Sequence, residues 1–165
     1  MTRRQLLNLL SALGFGSAAA SMTASSTAAS KPTRADRVDL PDAEWKRRLS
    51  VPAYDVLRHE GTERAFTSPL NDEKRAGAYH CAGCDLPLFR HATKFDSGTG
   101  WHSFYAALPD AMGTKTDYKI LLPRNEYHCA RCGGHQGHIF DDGPKPTGKR
   151  YCNNGVALRF APAAA

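Results

Sequence analysis

A mainly β domain is predicted: two small antiparallel sheets forming a sandwich or open barrel, with short N-terminal helices and a four-cysteine zinc site. Three observations point to it. From Ala76 onward, short apolar runs are punctuated by Gly, Pro and Asp, as strands joined by turns are. Ahead of them, residues 41–61 carry two successive sets of helix-start signals. Two Cys-x-x-Cys pairs, Cys81/Cys84 and Cys129/Cys132, bracket the strand region with the spacing of metal knuckles.

At 165 residues the chain holds one domain plus tails. Arg3 and Arg4 are the only charges in residues 1–30, so of the 22 Lys and Arg, 20 remain against 16 acids in the rest. The longest basic run is Lys46-Arg47-Arg48, too sparse for a nucleic-acid surface.

Residues 1–30 read as a twin-arginine export signal. The Arg3-Arg4 pair precedes an apolar run, which passes into small residues such as Ala18-Ala19-Ala20. Asn8, Ser11, Gly14, Gly16 and Ser17 break that run, so it makes a poor membrane span. Cleavage is expected after Ala20, with a later site near Ala29, and the expected compartment is the bacterial periplasm. An uncleaved anchor and an unstructured start are the alternatives. Residues 31–39 read as a polar linker and residues 40–165 as the domain.

Within the domain, Pro41-Asp42-Ala43-Glu44 opens a helix that ends on Lys46-Arg47-Arg48, the charge order a helix dipole favours. Ser50-Val51-Pro52 is a second start, with Ser50 as cap, Tyr54, Val56 and Leu57 as an apolar edge and Gly61 as a stop. These helices are expected to cover a sheet, and Gly61–Ser68 is loop-like. Strands are expected over Ala78–Cys81, Leu86–Arg90, His102–Leu108, Tyr118–Leu122, Glu126–Cys129 and Gly155–Ala161. In the last, Val156, Leu158 and Phe160 alternate with Ala157 and Arg159. Asp96–Gly100 and Asp141–Gly148 are turns by composition.

Each cysteine pair can turn two thiolates to one side, and two such turns give the tetrahedral, closed shell of structural zinc. Forty-four residues separate Cys84 from Cys129, so the metal would clamp distant strands. Disulfides, or one redox-active pair, are the alternatives. Cys152 is the fifth cysteine and has no neighbour to pair with. Lys149 and Arg150 precede it, which would favour the thiolate, and His135 and His138 can supply an acid or base. The alternative is an inert core cysteine.

Several blocks together resemble the type B methionine sulfoxide reductases. They are Cys81–Cys84, Lys94-Phe95-Asp96-Ser97-Gly98-Thr99-Gly100-Trp101, Cys129–Cys132, His135-Gln136-Gly137-His138-Ile139-Phe140-Asp141-Asp142-Gly143-Pro144, and Pro146–Asn154. Gly61-Thr62-Glu63-Arg64 resembles the family's N-terminal region, and the likeness runs from about Trp45 to Phe160. It implies reduction of the R epimer of methionine sulfoxide in oxidised proteins, on two antiparallel sheets, with one zinc remote from the site. Cys152 takes the nucleophile's place in that resemblance, His138 and Asn154 line the site, Trp101 and Phe140 wall the substrate methyl, and His135 and Arg150 stand near. The attack would leave a sulfenic acid on Cys152.

Three positions depart from the family pattern. Thr99 stands where many relatives carry a resolving cysteine, so an external thiol, such as a thioredoxin-like protein, is expected to reduce the sulfenic acid. His102 replaces a proline and would add a titratable group near the pocket. Gln136 replaces a commoner apolar residue. The rival readings are a zinc-ribbon binding module with a structural Cys152, and a periplasmic thiol-disulfide oxidoreductase. Neither nucleic acid nor a stable membrane span after signal removal is expected.

Overall fold

The computed structural model describes residues 34–120 and 122–164. The expected export signal lies outside the described residues. Residues 34–39, read as part of a linker, lie against the domain. Val38 N donates to the Arg131 carbonyl at 2.9 Å, and Asp36 bridges Arg34 and Arg131, each at 2.8 Å.

Helices α1 (Asp42–Arg48) and α2 (Val51–His59) follow from the signals read above. Ser50 caps α2, its hydroxyl accepting from Ala53 N at 3.4 Å. The left-handed residue at the end of α2 is Glu60 (φ 57°), not the expected Gly61. Its carboxylate is paired with Lys115 and Lys119, which fixes that helix end to the neighbouring hairpin. No helix among the described residues is long and apolar enough to cross a membrane.

Among the described residues, nine strands form two antiparallel sheets. The first, in order β2-β1-β9, joins Pro87–Arg90, Gly77–Cys81 and Leu158–Pro162. The second runs β3-β4-β8-β7-β6-β5, through Lys94–Phe95, His102–Phe104, Arg150–Asn153, His135–Phe140, Arg124–Cys129 and Met112–Asp117. Aromatic rings fill the space where the sheets meet. Phe89 of β2 stacks on Phe104 of β4 at 4.1 Å, and Tyr79 of β1 meets Phe104 edge-on at 5.0 Å. Such pairs add about 0.5–1.5 kcal/mol beyond the area they bury.

Two expected strands fall elsewhere. Of the expected strand Tyr118–Leu122, the described residues 118–120 and 122 are unpaired and follow β5, and Tyr118, Ile120 and Leu122 are exposed. The paired residues are Met112–Asp117, a polar stretch that alternation did not mark. Gly155–Ala157 is a short 3-10 turn, so β9 starts only at Leu158. The β4 strand stops at Phe104, short of Leu108. Strands β3, β7 and β8 were not foreseen, because their side chains are largely polar.

Candidate active site and metal centre

The four knuckle cysteines meet although they belong to distant hairpins. Their sulfurs all lie within 4.8 Å of one another, with Cys81–Cys132 at 3.6 Å and Cys84–Cys129 at 3.4 Å. A tetrahedron with metal–sulfur bonds of about 2.3 Å has edges of roughly 3.8 Å. The spacing therefore suits one four-coordinate ion, whereas disulfide sulfurs sit at about 2.05 Å. Helix α2 covers the cluster. A Cβ on Gly134 would meet Leu57 Cδ2 at 2.9 Å and Cys132 Sγ at 3.3 Å, so the glycine leaves room for the Leu57 side chain against the cluster.

Cys152 sits mid-strand on β8, between Ser103 of β4 and His138 of β7 as ladder partners. Strands β7 and β8 approach closely because residue 137 is glycine: a Cβ there would lie 1.8 Å from the Cys152 carbonyl oxygen. Beside the thiol opens a cleft of about 140 Å³, lined by Thr62, Trp101, Arg124, Gly137, His138, Phe140 and residues 152–154. Of the residues picked from sequence, Cys152, His138, Asn154, Trp101 and Phe140 line this cleft together. His135 and Arg150 do not line it and stand behind.

His138 is half-buried, its Nε2 held at 2.8 Å by Asp117 Oδ2. The Asp117 carboxyl lies well below the carboxylate range, because Lys119 N donates to it and His138 and Arg124 add hydrogen bonds. An ionised Asp117 fixes the proton of neutral His138 on Nε2 and leaves Nδ1 to take or give a proton. Burial lowers the His138 pKa despite the Asp117 bond, so the resting ring is neutral near pH 7. Behind it, buried His135 meets Glu126 Oε1 at 2.7 Å and packs edge-on against His138 at 5.5 Å. Burial pulls the Glu126 carboxyl up, but the hydrogen bonds of His128 and His135 outweigh this and hold it at about 2. With each histidine on its own carboxylate, the cysteine cluster is the one metal-holding group found among the described residues.

The electrostatics of Cys152 correct the expectation of a resting thiolate. Burial pushes the thiol pKa up, and the charge and hydrogen bond of Arg150 pull it only part of the way back. Lys149 pairs with Asp141, and Arg150 pairs doubly with Asp142, at 2.8 Å for each bond, while lying over the Phe140 ring at 4.4 Å. Both cations are thus largely neutralised by aspartates.

Several residues around the site escaped the sequence reading. Glu63 is the main one. Its carboxylate accepts from Gly155 N at 2.5 Å and Val156 N at 3.1 Å. Its backbone N–H donates to Asn154 Oδ1 at 3.0 Å, and its carbonyl accepts from Trp101 Nε1 at 3.0 Å. One loop residue thereby fixes both the indole wall and the turn after Cys152. Its only signal was membership in the Gly61–Arg64 block. Asp117, Arg124 and Glu126 were missed because acids and arginines in strands ordinarily face solvent. At the departures, Thr99 Oγ1 bonds Ser97 Oγ at 2.8 Å. His102 is buried beside a separate cleft of about 380 Å³, and burial lowers its pKa to about 4. It adds no charge near neutral pH.

A family model described as the SelR domain matches residues 49–162. The chain is 52% identical over 122 residues to "Peptide methionine sulfoxide reductase B1, chloroplastic" of Oryza sativa subsp. japonica, covering 73% of this chain and 57% of that one. It is 52% identical over 127 residues to "Peptide methionine sulfoxide reductase MsrB" of Pseudomonas putida (strain W619), covering 76% and 96%. The aligned part thus spans less than two thirds of the chloroplast relative but nearly all of the bacterial one. Among solved structures, a Mis18 "Yippee-like" domain aligns with a TM-score of 0.43 at 14% identity, over 55% of this chain and all of that one.

Proposed function

Because the chain belongs to the SelR-domain family of MsrB proteins, we propose that it reduces the R epimer of methionine sulfoxide in oxidised proteins, with Cys152 as nucleophile. The observation that carries this reading is one cleft holding a lone thiol, a carboxylate-held imidazole and two aromatic walls. A thiol disfavoured as thiolate and a neutral histidine suit a proton handed over during attack. His138 takes the Cys152 proton as the sulfur attacks the sulfoxide sulfur, then gives it to the sulfoxide oxygen. The S–O bond breaks and the hydroxyl ends on Cys152 as a sulfenic acid. The substrate sulfur gains two electrons, the Cys152 sulfur loses two, and methionine leaves.

Trp101 and Phe140 seat the S-methyl group, and Asn154 with Glu63 sets the shape that selects one epimer. The four cluster cysteines leave no thiol for an internal disulfide. Two equivalents of an external thiol, from a thioredoxin-like partner, therefore return Cys152 and release water and their own disulfide. One zinc held by Cys81, Cys84, Cys129 and Cys132 fits the donor set, and its closed thiolate shell gives structure rather than a reaction step. Residues 1–30 direct the chain through the twin-arginine route to the periplasm. Neither rival reading gains support: the knuckle cysteines are gathered into one cluster, and Cys152 opens onto a cleft.

The test is turnover of R- and S-methionine sulfoxide peptides by wild type and Cys152→Ser. R-specific turnover is expected, lost in the variant with metal content retained; S-specific turnover, or a fully active variant, would sink the reading. N-terminal sequencing of the mature protein is expected to begin after Ala20 or near Ala29, and a start at Met1 contradicts export with cleavage.

A further inference from the structure

We propose that Gln136 is a positioning residue that ties the cysteine cluster to the strand carrying Cys152, so that the state of the cluster is felt at the thiol. The chain of contacts is continuous and buried. Gln136 Nε2 donates to Cys81 Sγ at 3.4 Å, and its Oε1 accepts from Asn153 Nδ2 at 3.3 Å. Asn153 Nδ2 also donates to the Tyr127 hydroxyl at 2.9 Å, and that hydroxyl donates to the Cys152 carbonyl at 3.3 Å. Gln136, Asn153 and Tyr127 are all fully buried. The Gln136 backbone grips the same turn: its carbonyl accepts from Asn154 N and Asn154 Nδ2, at 3.1 Å each.

A buried amide costs about 1–3 kcal/mol when its groups lack partners, so Gln136 is tolerable only with both ends engaged. One end meets a metal-ligand sulfur and the other meets the residue after Cys152. An N–H donated to a ligand thiolate draws charge from the sulfur and orients it. An apolar side chain of equal size would fill the space and cut the link. The sequence departure at residue 136 is thus a wire between two centres rather than a packing variant. The inference rests on the reading of Cys152 as the reactive group, but its test does not require turnover.

The test uses the full metal-loaded chain, with Gln136→Leu, Tyr127→Phe and the double variant. Three quantities are read: the thiolate-to-metal band of the cobalt-substituted protein, metal release to a chelator, and Cys152 alkylation by iodoacetamide. Gln136→Leu is expected to shift the cobalt band, speed metal release about tenfold or more and change alkylation several-fold. Tyr127→Phe should alter alkylation alone. The double variant should alkylate as one single variant does, because both cut one chain of contacts. Unchanged alkylation in Gln136→Leu, or effects that simply multiply, would overturn the proposal. Should Gln136→Leu fail to fold, exchange of zinc for the larger cadmium decides: it must change alkylation in wild type and lose that effect in Tyr127→Phe, and no change in wild type refutes the link. A wild type that reduces no sulfoxide defeats the functional reading while leaving these measurements intact.

Discussion

Lys149 and Arg150 precede Cys152 in the sequence, yet each is committed to an aspartate in the fold, and the thiol is left protonated by burial. Asp142 is therefore a brake. Asp142→Asn, which leaves Arg150 unpaired beside the thiol, is expected to move the pH profile of Cys152 alkylation to lower pH; an unmoved profile would show that Arg150 does not act on the thiol. His102 gives a second residue-scale prediction. Its folded pKa of about 4 lies below the ordinary 6.5, so the unfolded chain binds the extra proton between those values. Its contribution is complete above pH 6.5 and is lost as pH falls towards 4, on the order of 2–3 kcal/mol. Urea unfolding between pH 7 and 4.5 should show that loss, and His102→Gln should flatten it. The distinctive residue types were legible in advance: Cys152, His138, Trp101, Phe140 and Asn154 stood in motifs and line the cleft together. Glu63, Asp117 and Glu126 were not, since only tertiary burial sets a carboxylate apart from the many that face water.

The β5–β6 hairpin shows how element boundaries mislead. Tyr118, Ile120 and Leu122 look like a strand because they are apolar and alternate, while the paired residues Met112–Asp117 are mostly polar. The exchange matters because the last pair of the ladder, Asp117 with Arg124, sits beside the cleft and holds His138. Asp117→Asn keeps the side-chain shape but removes the charge that fixes the imidazole proton. It is expected to lower kcat by about tenfold to a hundredfold with KM little changed; wild-type kcat would detach Asp117 from the chemistry. At β7, Gly137→Ala should separate β7 from β8, and loss of both activity and thermal stability is the expected result. An active, stable Gly137→Ala would contradict the close approach.

Across the whole molecule, two devices hold the sheets and helices together: the Phe89–Phe104–Tyr79 stack between sheets, and the cysteine cluster beneath α2. The cysteine spacing made the second legible, because two matched knuckles admit few other uses. The first was not, since scattered aromatics do not declare which sheets they join. With zinc in the cluster as proposed, chelation should cost most of the fold, as it does in small zinc domains, with near-ultraviolet dichroism as the readout. The segment at residues 34–39 gives this a practical consequence. Arg131, which fastens that arm through Asp36, lies inside the second knuckle. The arm is thereby a tell-tale for occupancy, and trypsin should cut at Arg34 and Arg37 slowly in loaded protein and quickly once the ion is gone.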